Sequence, residues 1–264
     1  MAQSARFILF GFLTIATSGC VVVGPSNGLS LKSLSKPKVT NVSFEEEVPE
    51  TPAEPENPTQ LRLTYAKLME QVGHVTEARE HYSNVTDEQP ENVDAILGLA
   101  RVELASGNYG AAESGFKKAL RLHPESASAH FGLGQFYASR NQWQDSVEPF
   151  TKAMLAEPEN TTYRYHLAVA LTHSGDVDSA LPHFIRTVGD AEAHYNVGLI
   201  LKNEGNLGQA ERHFLLAVTK KPSLEPAQTW LNYLRKQRQG IAAELPESAP
   251  MTSHVSAHSL SNPS

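Results

Sequence analysis

The chain has 264 residues, 40% of them hydrophobic, enough for one or two domains with a sizeable core. Its formal charge of -7 is unevenly spread: Glu45, Glu46, Glu47, Glu50, Glu54 and Glu56 crowd one short segment and leave the remainder only mildly acidic. No basic stripe of the kind that tracks a phosphate backbone is present, which argues against nucleic acid as a partner.

Residues 1–19 read as an export signal. Arg6 supplies a short positive start, Phe7 to Ala16 is an apolar run too short to span a bilayer comfortably, and Thr17, Ser18, Gly19 and Cys20 follow. Small residues leading to a lone cysteine resemble the lipobox of bacterial lipoproteins, in which that cysteine is acylated and becomes the mature amino terminus. The resemblance implies lipid attachment at Cys20 and a place in the periplasm, on the outer or inner membrane, each buried methylene contributing about 0.8 kcal/mol to anchoring. Thr17 departs from the pattern, which expects an aliphatic residue three places before the cysteine, and Val21 stands where an Asp would bear on membrane sorting. Ordinary cleavage at Ala16-Thr17-Ser18 is the alternative and would leave a soluble exported protein. Cys20 is the only cysteine, so one chain can form no disulfide.

Residues 20–58 carry many Ser, Pro and Glu residues, few periodic apolar positions and no plausible core, and are expected to be a disordered acidic, proline-rich tether. From residue 59 the chain repeats itself with a period of 34, in units 59–92, 93–126, 127–160, 161–190 and 191–224. Position 8 of each unit is Ala66, Ala100, Gly134, Ala168 and Gly198; position 20 is Ala78, Ala112, Ser146, Ala180 and Ala210. Only small residues fit where two antiparallel helices cross closely. Position 24 is always aromatic, as Tyr82, Phe116, Phe150, Phe184 and Phe214, and position 27 is Val85, Ala119, Ala153, Thr187 and Ala217. Gly73, Gly107, Asn141, Gly175 and Gly205 at position 15 suit a left-handed turn between the helices. Pro90, Pro124, Pro158 and Pro222 at position 32 end the second helix.

This pattern resembles the tetratricopeptide repeat (TPR) family over residues 59–224. The resemblance implies an all-α solenoid of five helix-turn-helix repeats, extended by a capping helix over 225–239 with Leu231 and Leu234 on its apolar side, and a disordered tail over 241–264. Departures are the missing tryptophan at position 4, Glu103 at position 11 where an apolar residue is usual, and a fourth unit four residues short, whose Val188-Gly189-Asp190 predicts a tight connection.

No nucleophile-elbow or phosphate-loop pattern is found, and Phe131-Gly132-Leu133-Gly134 is explained by helix packing, so an enzyme is not expected and neither is a cofactor. None of the eleven histidines forms a His-Glu-x-x-His pair, no metal is expected, and His81, His183 and His213 share position 23 and are assigned to helix surfaces. His254 and His258 stand four apart in the tail.

The family's binding surface is the concave face of the first helices, at positions 2, 5, 6, 9, 12 and 13. The resemblance therefore nominates Arg101, Phe131, Gln135, Tyr165, His166, His173, Tyr195, Asn196 and Lys202, with Trp230 and Tyr233 continuing the series into the cap, for binding extended or helical protein segments. The aromatic content of this set rises toward the carboxyl-terminal half, where partner specificity is expected. The family's carboxylate clamp is not matched, since Leu63, Lys67 and Gly98 do not supply its Lys and Asn set. The expected function is a membrane-anchored scaffold in assembly of an envelope complex. Its alternatives are a soluble exported TPR protein or a regulatory subunit of a cell-wall enzyme.

Overall fold

The computed structural model describes residues 57–242, 245–246 and 251. The signal, Cys20, His254, His258 and most of the tether and tail lie outside the described residues. Among those residues the secondary structure is helical throughout: α1 (Pro58–Gln71), α2 (Val75–Glu88), α3 (Val93–Ala105), α4 (Tyr109–Leu122), α5 (Ala127–Ser139), α6 (Trp143–Ala156), α7 (Thr161–His173), α8 (Val177–Val188), α9 (Asp190–Asn203), α10 (Leu207–Lys220) and α11 (Glu225–Arg238). Each helix packs on the next, and first helices also touch across repeats at α1 with α3, α3 with α5, and α7 with α9. That is a one-dimensional stack in which each unit leans on its neighbours.

Local chemistry sets the helix limits. Side-chain oxygens of Asn57, Asn92, Ser126 and Asn160 accept first-turn amides of α1, α3, α5 and α7, satisfying donors that have no partner within the helix. The turn inside each repeat rests on left-handed residues, with φ of 81° at Gly73, 77° at Gly107, 57° at Asn141, 91° at Gly175 and 81° at Gly205. Second helices stop one residue short of the pre-proline position, where Gln89, His123, Glu157 and Lys221 have left the helical region. A following proline disfavours that region for the residue before it. Two prolines escape the rule. Pro149 lies within α6 and Pro182 within α8, and each helix continues past its proline with one fewer ladder donor. In the short fourth repeat Gly189 alone separates α8 from α9, at φ 94° and ψ 166°. Glu103, the polar intruder at position 11, is held by Arg79 Nε at 2.7 Å and Asn108 Nδ2 at 2.5 Å.

The core is built around the position-24 rings, all five of which are fully buried. Each needs room on a flanking first helix, and a glycine supplies it in four repeats. A Cβ on Gly98 would stand 2.2 Å from Tyr82, and one on Gly132 would stand 2.3 Å from Phe116, so these rings press on position 6 of the following repeat. A Cβ on Gly134 would stand 2.6 Å from Phe150, and one on Gly198 would stand 2.8 Å from Phe214, so those rings press on position 8 of their own repeat. The following repeat then carries a large residue at position 6: His166, with its ring 5.6 Å from Phe150, or Trp230, 6.4 Å from Phe214. The glycine has changed helices while the ring has kept its space. At the carboxyl-terminal end α11 buries Ala227, Trp230, Leu231 and Leu234, and Met251, in the tail expected to be disordered, lies against the same cluster.

Candidate partner-binding groove

The nominated side chains separate into three groups. Tyr195, Asn196 and Trp230 are fully or almost fully buried, which corrects their assignment to an open surface. Tyr195 lies 6.0 Å from Phe214, and Trp230 stacks on that same ring, so both serve the packing of the fifth repeat and the cap. Burial raises the Tyr195 hydroxyl pKa above the usual phenol value. For Trp230 the reason is the position-6 exchange, since a large residue there covers the preceding aromatic ring, whereas Tyr195 at position 5 lies near the ring of its own repeat.

A second group is half-exposed but engaged. Arg101 donates from Nε and an Nη to the two oxygens of Glu70, at 2.6 and 2.8 Å, while Tyr82 Oη donates to Glu70 at 2.6 Å. This network ties the first repeat to the second, so Arg101 is a repeat-to-repeat clasp, correcting its assignment as a free contact. His173 stacks on Trp143 at 3.8 Å and meets Glu204 through Nδ1 at 2.7 Å. The Lys202 ammonium sits 3.9 Å from the Trp230 ring centre, and partial burial lowers its pKa. It shields the edge of the cap and uses the ring as its counter-surface.

The third group lines a candidate site. Phe131, Tyr165 and His166 are half-buried, and with the largely buried Tyr163 they make a continuous aromatic wall across α5 and α7. Ring centres lie 4.7 Å apart for Phe131 and Tyr163, 5.1 Å for Phe131 and His166, and 6.0 Å for Tyr165 and His166. Burial lowers the His166 pKa, favouring the neutral imidazole, and pushes both the Tyr163 and Tyr165 hydroxyls up to about 12. Gln135, half-exposed on α5, stands one turn beyond Phe131.

Tyr163 also lines a concavity of about 1000 Å³ where the amino-terminal ends of α3, α5 and α7 converge. Its apolar lining includes Leu97, Leu122 and Pro124, and its rim carries Asp94, Glu125 and Glu157. Lys67 reaches Asp94 at 2.9 Å and Asn160 reaches Glu157 at 2.9 Å, while Glu125 is exposed. Caps occupy first-turn amides at these helix ends, so the rim presents carboxylates more than it offers amides to an anion. Sequence reasoning passed over Tyr163 because position 3 is ordinarily a packing position, being Ala95, Ala129 and Ala193 in other repeats. The substitution of a ring for alanine was the available signal.

His81, His183 and His213, assigned to helix surfaces, are half-buried instead. His81 packs edge-on to Tyr65 at 4.7 Å, and His213 Nδ1 lies 3.2 Å from His194 Nδ1. Among the described residues no group of three or more His, Cys, Asp or Glu is placed to hold a metal ion, and no helix is long and apolar enough to cross a membrane.

Models of the tetratricopeptide repeat match residues 71–115, 97–154 and 191–223. The chain is a TPR protein. Arrays of this repeat are protein-protein interaction scaffolds, and the TPR fold is typically non-catalytic. Among curated relatives, cellulose synthase operon protein C of Escherichia coli K12 is 43% identical over 60 residues, which is 23% of this chain and 5% of that protein. This chain therefore spans a small fraction of the curated relatives it matches. Among solved structures, YrrB, described as a TPR protein with an unusual peptide-binding site, superposes with a TM-score of 0.50 at 22% identity, covering 66% of this chain and 90% of its own. The pilF protein of Pseudomonas aeruginosa gives 0.51 at 15% identity, covering 69% and 84%. These likenesses establish the TPR solenoid.

Proposed function

We propose that the TPR array captures an extended protein segment along α3, α5 and α7, and does so as a lipid-anchored scaffold in assembly of an envelope complex. The observation that carries the binding site is the aromatic wall of Phe131, Tyr163, His166 and Tyr165 beside the carboxylate-rimmed concavity. Rings at a half-open surface supply large contact area at low entropy cost. The rim carboxylates favour a segment with an apolar anchor flanked by Lys or Arg. YrrB, whose description names a peptide-binding site, supports a peptide as the ligand class. Support for the anchor is the sequence around Cys20, with its small residues and single thiol.

Affinity capture from membranes with mass spectrometry tests the groove. Phe131→Ala and Asp94→Asn should each lose the partners held by the native chain, with an unchanged helical spectrum showing that each variant remains folded. Full-strength capture by both variants would refute the site. Fatty-acid labelling tests the anchor: label on the native chain and none on Cys20→Ala is expected, and equal label on both would end it. A second reading makes the scaffold an accessory of a polysaccharide-synthesising enzyme, supported by the 60-residue match to cellulose synthase operon protein C. Recovery of such an enzyme in the same capture would select it.

A further inference from the structure

The two ends of the stack are finished differently. At the carboxyl-terminal end α11 turns Trp230, Leu231 and Leu234 inward and presents Gln228, Thr229, Asn232 and Lys236 to water. At the amino-terminal end α1 has no preceding helix among the described residues, and its outer face is apolar. Leu61, Tyr65, Leu68 and Val72 are between 41 and 58% exposed, and their spacings of four, three and four place them within about 60° of one another on the helix. In later repeats positions 3, 7 and 10 pack on the second helix of the unit before, so three of the four are interior positions left open. Val72 is not explained that way. Its counterparts at position 14 are Ser106, Arg140, Ser174 and Glu204, all polar, so the first repeat alone extends the stripe by another turn.

We infer that this face of α1 pairs with the same face of a second copy of the chain, as an antiparallel two-fold helix pair. The spacing is that of a two-stranded coiled-coil seam, and it is symmetric about the midpoint between Ala66 and Lys67. Leu61 then opposes Val72 of the second copy, and Tyr65 opposes Leu68, so every seam residue meets another apolar one. The flanking positions are Arg62, Thr64, Met69 and Gln71, and antiparallel pairing sets Arg62 against Met69 and Thr64 against Gln71. No like charges meet. Head-to-tail stacking of copies is disfavoured because it would bury the polar face of α11. The stretch of sequence leading into α1 is poorly suited to cover it, since prolines 49, 52 and 55 disfavour a helix there and its six glutamates are not apolar. The face is small beside the roughly 800 Å² per partner of a standard interface, so the pair is a weak one that forms at about 10 to 100 μM.

Sedimentation velocity of the full chain over that concentration range should show a monomer-dimer equilibrium. Leu68→Lys, a change at an exposed position, should weaken the dimer at least tenfold with an unchanged helical spectrum and melting temperature. The register is tested in the Cys20→Ala background, which removes the only native thiol. Oxidising a mixture of Leu61→Cys and Val72→Cys chains should give a disulfide-linked dimer, whereas Leu61→Cys alone should not, its two copies being about 16 Å apart along the seam. A chain that stays monomeric throughout the range overturns the inference. So does a dimer indifferent to Leu68→Lys, or cross-linking of Leu61→Cys to itself. If a thiol at Leu68→Cys is shielded from labelling in the monomer and becomes reactive once residues 21–56 are deleted, the face is covered by its own chain and the inference falls.

Discussion

Gly132 offers the sharpest test of how the repeats fit together. Replacing it with alanine adds one methyl group, and two effects oppose each other. Helix propensity favours alanine over glycine by about 1 kcal/mol. Against that, the new Cβ would stand 2.3 Å from Phe116 Cε1 and 2.7 Å from Cδ1, and the ring is fully buried among neighbours that leave it nowhere to swing. Overpacking of this kind costs about 1 to 3 kcal/mol, so Gly132→Ala should destabilise the array by up to about 2 kcal/mol net. Gly208→Ala is the control: it lies in α10 with nothing within 4 Å of its added Cβ, and should gain up to about 1 kcal/mol. The fold also predicts a rescue. Phe150 and Phe214 press on a glycine at position 8 of their own repeat, so Ala100→Gly should open the same alternative seat for Phe116. The double variant Gly132→Ala with Ala100→Gly should then be less destabilised than the sum of the singles by about 0.5 to 1.5 kcal/mol. Urea unfolding followed by circular dichroism reads the native chain and the four variants, with midpoints compared because stacked repeats need not unfold in one step. Strict additivity, or a Gly132→Ala variant as stable as Gly208→Ala, would refute the exchange of space between the two helices.

The clasp between the first two repeats predicts that Arg101→Met, which leaves the Glu70 carboxylate half-buried beside Tyr82, costs about 1 to 2 kcal/mol in urea midpoint, while adding Glu70→Leu recovers most of it. A loss of partner capture with full stability would instead return Arg101 to the groove. Gly189→Ala forces a side chain into a region of φ and ψ that only glycine adopts readily, and should lower the melting temperature by the equivalent of about 1 to 3 kcal/mol; an unchanged melting temperature would mean that the short fourth repeat relaxes freely. The facing pair His194 and His213 predicts acid sensitivity. Burial lowers both pKa values, that of His213 to about 4 with the charges of His194 and Arg212 adding to the effect and Asp178 opposing it, while Asp190 and Lys220 act in opposite senses on His194. Because the folded values lie below the unfolded value of about 6.5, the pair's contribution is complete above that pH and is lost as pH falls from about 6.5 to 4. The native chain should lose about 1 to 3 kcal/mol between pH 7.5 and 4.5, and His213→Leu should lose clearly less; equal losses would place the acid sensitivity elsewhere.

The architecture was legible in the sequence because the repeat pattern is written in residues that only backbone geometry explains. Small residues at positions 8 and 20, an aromatic at 24 and a left-handed residue at 15 recur whatever lies between them, and the short fourth unit signalled its one-residue connection through Gly189. The site was less legible. Whether a side chain at position 5 or 6 faces a partner depends on what lies beneath it, and that is decided by a residue 16 places earlier in the preceding repeat and by whichever helix carries the compensating glycine. Tyr165 and Tyr195 occupy the same position 5, yet one is half-open and the other fully buried. Arg101 was misjudged for a related reason: its partner Glu70 is 31 residues away, on a neighbouring repeat that periodicity treats only as another copy.

These same contacts move the proposed centre of recognition. The rise in aromatic content toward the carboxyl-terminal repeats suggested that specificity resides there, but those rings close the stack. Trp230 is stacked on Phe214 and covered by Lys202, and Tyr195 is fully buried near that same Phe214 ring. In the second and third repeats Gly98 and Gly132 occupy position 6, and the buried ring of the preceding unit takes the space a side chain there would need. The concavity opens at the amino-terminal ends of α3, α5 and α7, lined by Leu97, Leu122 and Tyr163. His166 is the step between the two regimes: it lies over Phe150 as a packing residue and stands against Phe131 and Tyr165 as part of the wall. A large residue at position 6 thus trades groove depth for core volume, and the array makes that trade once along its length, between the third and fourth repeats. The proposed recognition site straddles that step, its aromatic wall running from Phe131 on α5 to Tyr163, Tyr165 and His166 on α7 beside a rim that carries charge.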